Sequence, residues 1–128
     1  KNFVIGGNYN YSSFSGQQDA NFQAGFNTPQ NRYSFNLSNR KVTKNLGFNV
    51  NFRYQDAFLW QSSYSPADYT VPAYGVLDAQ LTYKVSSLKS VFKIGGTNLG
   101  GNDYRTNLGS PFIGQMYYFS ITFDEFFK

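Results

Sequence analysis

Cysteine and histidine are both absent from the 128 residues, tryptophan and methionine occur once each, and Glu125 is the single glutamate. Without cysteine there is no disulfide framework. Without either residue there is no zinc finger, no Cys or His nucleophile with its base, and almost no route to a transition-metal site. The chain is therefore expected to be no enzyme and to carry no cofactor. No run of 18 apolar residues occurs, so no helix can span a bilayer, and no charged stretch followed by an apolar one marks a signal peptide. Charged residues make up 14% of the chain, against about 25% in ordinary soluble domains. Lys1 stands where an initiator methionine would be, which points to a chain that begins after processing or partway along a longer polypeptide. The length suits one domain.

Aromatic residues reach 20%, while the mean hydropathy is only −0.46, so large rings coexist with many uncharged polar groups. Such a chain is not disordered, because disordered chains are poor in aromatic and β-branched residues. The net charge of +4 is dispersed over the whole sequence. No basic tract forms, and nucleic acid is not expected as a partner. Where basic and aromatic residues interleave, as in Asn51-Phe52-Arg53-Tyr54, strict alternation puts arginine and rings on opposite faces of a strand. The glycine doublets Gly6-Gly7, Gly95-Gly96 and Gly100-Gly101 lack the Lys-Ser or Lys-Thr and the helix of a phosphate loop. Gly95-Gly96 instead reads as a strand position that a neighbour approaches closely. The adjacent acids Asp124 and Glu125 would point to opposite faces of a strand and cannot flank one bond.

The dominant pattern has period two, the mark of strands with unlike faces. Phe3, Ile5, Gly7, Tyr9 and Tyr11 alternate with Asn8, Asn10 and Ser12, and Tyr33, Phe35 and Leu37 alternate with Arg32, Ser34, Asn36 and Ser38. Phe48, Val50, Phe52 and Tyr54 alternate with Asn49, Asn51, Arg53 and Gln55. Leu77, Ala79, Leu81, Tyr83 and Val85 are set against Asp78, Gln80, Thr82 and Lys84, then Phe92 and Ile94 against Lys93. Tyr117, Phe119, Ile121 and Phe123 close the series against Tyr118, Ser120 and Thr122. This makes about six strands and no useful amphipathic helix. Their links alternate in length: long over 16–31, short over 41–46, long over 61–72, short over 86–90, long over 99–113. An antiparallel up-and-down meander with long loops at one end and tight turns at the other is the pattern of a transmembrane β-barrel.

Alternation alone also fits a soluble β-sandwich that binds glycan through its aromatics. The composition of the polar face decides between them. It is Asn, Ser, Thr and Gln with scattered Arg and Lys, suited to a hydrated lumen or a polar plug. Phe48, Val50, Phe52, Tyr54, Leu77, Leu81, Tyr83, Phe119, Ile121 and Phe123 are then expected to face lipid, and Asn49, Asn51, Arg53, Asp78 and Lys93 the lumen. Tyr9, Tyr11, Tyr33, Tyr54, Trp60 and Tyr117 lie beside long links, and Phe3, Phe48, Tyr83, Phe92 and Phe123 near short ones, as two interfacial belts would. Asp56 shares the parity of Phe52 and Tyr54 and is expected above the membrane. Arg53, Asp78 and Lys93 are expected to pair with one another or with a plug. Trp60, Tyr64, Tyr69, Tyr104 and Arg105, in or beside the long loops, are candidates for ligand contact. With short turns in the periplasm and long loops outside, the C-terminus is periplasmic. Single-chain barrels start at eight strands, and bare strand edges in lipid leave N–H and C=O groups without partners. Residues 1–128 are thus expected to be part of a larger barrel, or to pair with other chains as a passive porin or barrel subunit would.

The segments Phe26-Asn27-Thr28-Pro29, Asn31-Arg32-Tyr33, FNVNFRYQDAFLW over 48–60, VPAYGVLDAQ over 71–80, KIGGTNL over 93–99 and GSPFIGQMYYFSITFDEF over 109–126, in this order, resemble the C-terminal strands of TonB-dependent outer-membrane receptors. The likeness is closest to receptors with a carboxypeptidase-regulatory-like N-terminal domain and less close to the SusC type. The resemblance implies a barrel of about 22 strands with a plugged lumen, of which this chain supplies the last strands without the plug. It implies nutrient transport across a Gram-negative outer membrane, with lipid, the remaining barrel and plug, and TonB as partners. TonB would act through an N-terminal part outside these residues, and a surface lipoprotein is a further candidate partner.

Overall fold

The computed structural model describes residues 2–16, 25–64 and 68–123. Its strands are β1 (Phe3–Tyr11), β2 (Asn31–Asn39), β3 (Leu46–Gln55), β4 (Phe58–Trp60), β5 (Tyr69–Val71), β6 (Tyr74–Val85), β7 (Ser90–Thr97) and β8 (Met116–Phe123). The fold is all-β and antiparallel. Six strands form one sheet in the order β1-β2-β3-β6-β7-β8, and β4 and β5 form a separate two-stranded ribbon. The ribbon corrects the expectation of a plain loop over 61–72: β-prone Phe58-Leu59-Trp60 pairs with Tyr69-Thr70-Val71, and Trp60 belongs to that ribbon rather than to an aromatic belt on the main sheet. The sheet is open, with β1 and β8 as its edges, and does not close into a barrel among the described residues. Asp124, Glu125 and the aromatic pair Phe126-Phe127 lie outside the described residues.

Every strand enters the sheet with the same parity. The row Ile5, Leu37, Val50, Ala79, Gly96 and Tyr117 runs across all six strands, and so does the row Phe3, Asn39, Phe48, Leu81, Ile94 and Phe119. Residues opposite each other in an antiparallel pair share a face. One face therefore collects the apolar set of every strand, while Asn36, Asn51 and Asp78, then Lys93 and Ser120, face the other way. The few polar residues on the apolar face sit at strand ends and are bonded there. The Asn31 side chain accepts from the Tyr9 hydroxyl at 2.7 Å and donates to Asp56 at 2.6 Å. The Asn39 side chain accepts from the Lys41 amide at 2.8 Å, and the Ser90 hydroxyl donates to the Leu88 carbonyl at 2.7 Å.

Nothing among the described residues covers the apolar face. Ile5 is 68%, Ile94 59% and Phe119 62% exposed, whereas among the described residues the only fully buried apolar side chains are Val71 and Val76, both toward the long-loop end. A soluble sheet would hide such a face under a second layer.

The sheet is also staggered. The row that begins one residue inside β8, at Tyr117, meets β1 at Ile5, six residues short of its loop end at Tyr11. The loop ends thus descend by five residues between the β1–β2 and β7–β8 hairpins. The turn ends step the same way, from Asn39↔Phe48 to Val85↔Ser90. Five residues at about 3.4 Å, against four strand spacings of about 4.8 Å, correspond to a strand inclination of about 40°.

The close approach expected at Gly95-Gly96 is present. Tyr118, opposite Gly95, lies over it and donates its hydroxyl to Gln80 on β6 at 2.9 Å. A Cβ on Gly95 would come within 2.6 Å of the Tyr118 ring carbon Cζ and 2.7 Å of the Ala79 carbonyl oxygen.

Candidate functional site

The long loops converge on the polar face at its loop end. The β7–β8 connection leaves the sheet through Asn98, at φ 52°, and Gly100, at φ 66°, left-handed conformations open to Asn and Gly. The Leu99 amide donates to the Leu77 carbonyl at 2.8 Å and the Asn98 amide to the Asp78 carboxylate at 3.1 Å. The buried Asn98 side chain donates to the Asn102 carbonyl at 3.1 Å. Its Oδ1 finds no partner among the described residues and lies where a Cβ on Gly101 would collide with it, so a side chain at Gly101 would displace Asn98. Further out, Tyr104 and Ile113 exchange both backbone hydrogen bonds, at 3.1 and 2.7 Å, and close the loop. The 99–113 link is thus a built structure.

This closure places Tyr104 over the sheet. Its ring stacks on Tyr74, the first residue of β6, with centroids 4.3 Å apart and planes 28° apart, and the Arg53 guanidinium reaches its hydroxyl at 3.5 Å. Arg53 also pairs with Asp78 at 3.3 Å. Asp78 therefore holds β3 through Arg53 and the loop through Asn98. Lys93 departs from the expected group. It shares the face but sits opposite Thr82, four residues along β6 from Asp78, and makes no ion pair among the described residues.

Of the five loop candidates, three come together. Arg105 lies 4.3 Å from the centroid of the Tyr69 ring and 5.0 Å from that of Phe112, and its Nε donates to the Tyr69 hydroxyl at 3.1 Å. Such cation–π contacts contribute about 0.5–2 kcal/mol each, more as water is excluded. Tyr69, Tyr74, Tyr104, Arg105 and Phe112 line a cleft of about 430 Å³. Trp60 is held opposite Tyr69 in the ribbon and does not line the cleft. Tyr64 is 97% exposed and stands apart from it. A second cleft of about 320 Å³ adjoins the first at Tyr74 and is lined by Asn8, Asn10, Arg32, Ser34 and Arg53.

Tyr74, Arg32 and Phe112 were not candidates from the sequence. Tyr74 carried a usable signal, since its parity against Leu77 places an aromatic on the polar face. Phe112 carried none, because only the Tyr104–Ile113 bridge brings it to Arg105.

The Asn27 side chain extends the same assembly to the β1–β2 link. It donates to the Gln61 carbonyl at 2.8 Å and accepts from the Gln61 amide at 2.7 Å, imitating a strand pairing at the end of β4. Three long links thus meet at one end of the sheet, and two of them, through Tyr69 and through Tyr104 and Arg105, line the aromatic cleft. Comparison of the chain with protein-family models, with curated proteins and with solved structures finds no match.

Proposed function

We propose that this chain supplies closing strands and external loops of an outer-membrane β-barrel that imports a nutrient by TonB-dependent transport. The observation that carries the reading is the uncovered apolar face, continuous over six strands and backed by a polar one. Lipid is the solvent that such a face fits, and a hydrated, plugged lumen is the surrounding that the polar face fits.

Two dimensions support it. The inclination of about 40° falls within the roughly 35–45° of membrane barrels. On β2 the bonded polar residues Asn31 and Asn39 bracket Tyr33, Phe35 and Leu37. Eight residues at about 3.4 Å, inclined at about 40°, give an apolar band about 21 Å tall, against about 25 Å for barrels in general. The bare edges of β1 and β8 pair, on this reading, with further strands that complete a barrel of about 22, because lipid leaves an open edge unsatisfied. The two clefts then face the lumen from its extracellular side, above a plug that TonB displaces with inner-membrane energy. This arrangement would bring a ligand to the lumen side of the loops.

The test is extraction and energised uptake. The native protein should leave Gram-negative membranes only with detergent, in a single polypeptide or assembly several times the mass of these 128 residues, and its uptake should stop when the proton-motive force is dissipated. Uptake that persists would replace active transport by a passive porin. Release without detergent would refute the membrane reading and return the sheet to a soluble β-sandwich.

A further inference from the structure

The cleft at the loop end of the polar face carries more positive charge than its own acids neutralise. Arg32 lies opposite Gln55 and Arg53 opposite Ser34, which makes the two arginines diagonal neighbours on one face, about 7–8 Å apart at the backbone. Like charges so placed repel. Of the four described aspartates, only Asp78 pairs with either, and it holds Arg53 alone. Asp56 is engaged by Asn31, Asp68 accepts from Gln61 at 3.3 Å, and Asp103 lines the adjoining aromatic cleft without pairing with either arginine. Among the described residues, Arg32 donates only to the amide oxygen of Asn10, at 3.4 Å. Among the described residues, one guanidinium of the pair is therefore without a counter-ion, in a cleft whose lining also includes Asn8, Asn10, Ser34 and Gln55. Tyr74 forms the wall shared with the aromatic cleft.

We infer that Arg32 and Arg53 form an anion-binding subsite for a hydroxyl-rich ligand that bears a carboxylate or a phosphate. The anionic group sits between the two guanidinium forks, which match either oxyanion geometry. The amides and the serine hydroxyl serve neighbouring hydroxyls, and the remainder of the ligand extends past Tyr74 toward Tyr104. The inference deepens the transport reading, since it names the chemistry of that reading's ligand, but its binding test stands apart from transport.

The experiment is calorimetric titration of the full native protein in detergent with three probes: an oligogalacturonate, glucose 6-phosphate, and a neutral oligosaccharide of the same length as the first. Both anionic probes, or one of them, should bind, weaken with added salt and lose about 10- to 100-fold in affinity on Arg32→Gln. The neutral probe should bind weakly and ignore the substitution. Arg40→Gln, at the opposite end of the sheet, should change nothing. Which anionic probe responds distinguishes carboxylate from phosphate. Anions bound no better than the neutral probe, or equal losses for Arg32→Gln and Arg40→Gln, would overturn the subsite. A protein that stays in the membrane yet ignores both anions refutes this inference alone. One that needs no detergent yet binds them refutes the barrel and keeps the subsite.

Discussion

The assignment of the two faces can be tested by placing one arginine at three positions of β3. Val50 lies on the apolar face opposite Leu37 and Ala79, four residues from Leu46 at the turn end and four from Tyr54 toward the loops. At about 3.4 Å per residue and an inclination of about 40°, it stands about 10 Å from either limit of the apolar band, near its middle. Val50→Arg should therefore cost about 2–4 kcal/mol, whereas Tyr54→Arg, at the edge of the band, should cost about 0–1 kcal/mol. Asn51 is on the other face, opposite Asn36 and Asp78, and Asn51→Arg should stay within about 0.5 kcal/mol. In equilibrium terms, Val50→Arg lowers the folded-to-unfolded ratio roughly 30- to 700-fold, since about 1.4 kcal/mol is a factor of ten. The assay is urea unfolding of the full protein reconstituted in phospholipid bilayers and followed by circular dichroism. The depth profile is the decisive part. A packed protein core would penalise arginine at Val50 and Tyr54 alike, and a water-exposed face would penalise neither. Equal costs at all three positions would refute the assignment.

Gly95→Ala should destabilise the protein by about 1–3 kcal/mol, because the new methyl displaces Tyr118 and breaks its bond to Gln80, while Gly6→Ala, with nothing within 4 Å of its Cβ, should stay within about 0.5 kcal/mol; the same unfolding titration compares them. Asp78→Asn keeps an acceptor for the Asn98 amide but loses the ion pair, and a double-mutant cycle with Arg53→Gln should give a coupling of about 0.2–1 kcal/mol that shrinks with salt. Tyr104→Leu removes the stack on Tyr74, worth about 0.5–1.5 kcal/mol, and should speed protease nicking within 99–113, where Tyr104→Phe should not.

How much of this was legible in the sequence follows from the range of each interaction. The faces were readable because a strand repeats its orientation every two residues and a one-residue slip would turn every side chain over. Phe48, Val50, Phe52 and Tyr54 share a face with Leu77, Ala79 and Leu81 only in registers of the parity observed, which a slip of one residue would break. Gly95-Gly96 was readable for a similar reason, as strand glycines make room for a neighbour. The ribbon was not. Phe58-Leu59-Trp60 and Tyr69-Thr70-Val71 are three residues each, too short for alternation to distinguish them from loop aromatics.

The residues Tyr69, Tyr104 and Arg105 were candidates from the sequence, but how they assemble was not readable there, for a different reason. The parts of the site are joined by contacts of long chain separation that no local pattern encodes: Arg53 to Tyr104, Tyr69 to Arg105, Asn27 to Gln61. What the sequence did contain was the frame that makes these contacts possible. Arg53 and Asp78 were placed on one face by parity alone, and once there, the carboxylate had two claims on it, a guanidinium on β3 and the backbone amide of Asn98. Lys93 has the same parity but lies four residues further along, about 14 Å at about 3.4 Å per residue, beyond direct contact with Asp78. Position along the strand, not face, separates the ion pair from Lys93. The loop geometry then turns that pair into a site, because the amide that Asp78 accepts is the one that starts the 99–113 link toward Tyr104. A ligand that competes for Arg53 would therefore act on the same residue that anchors the loop.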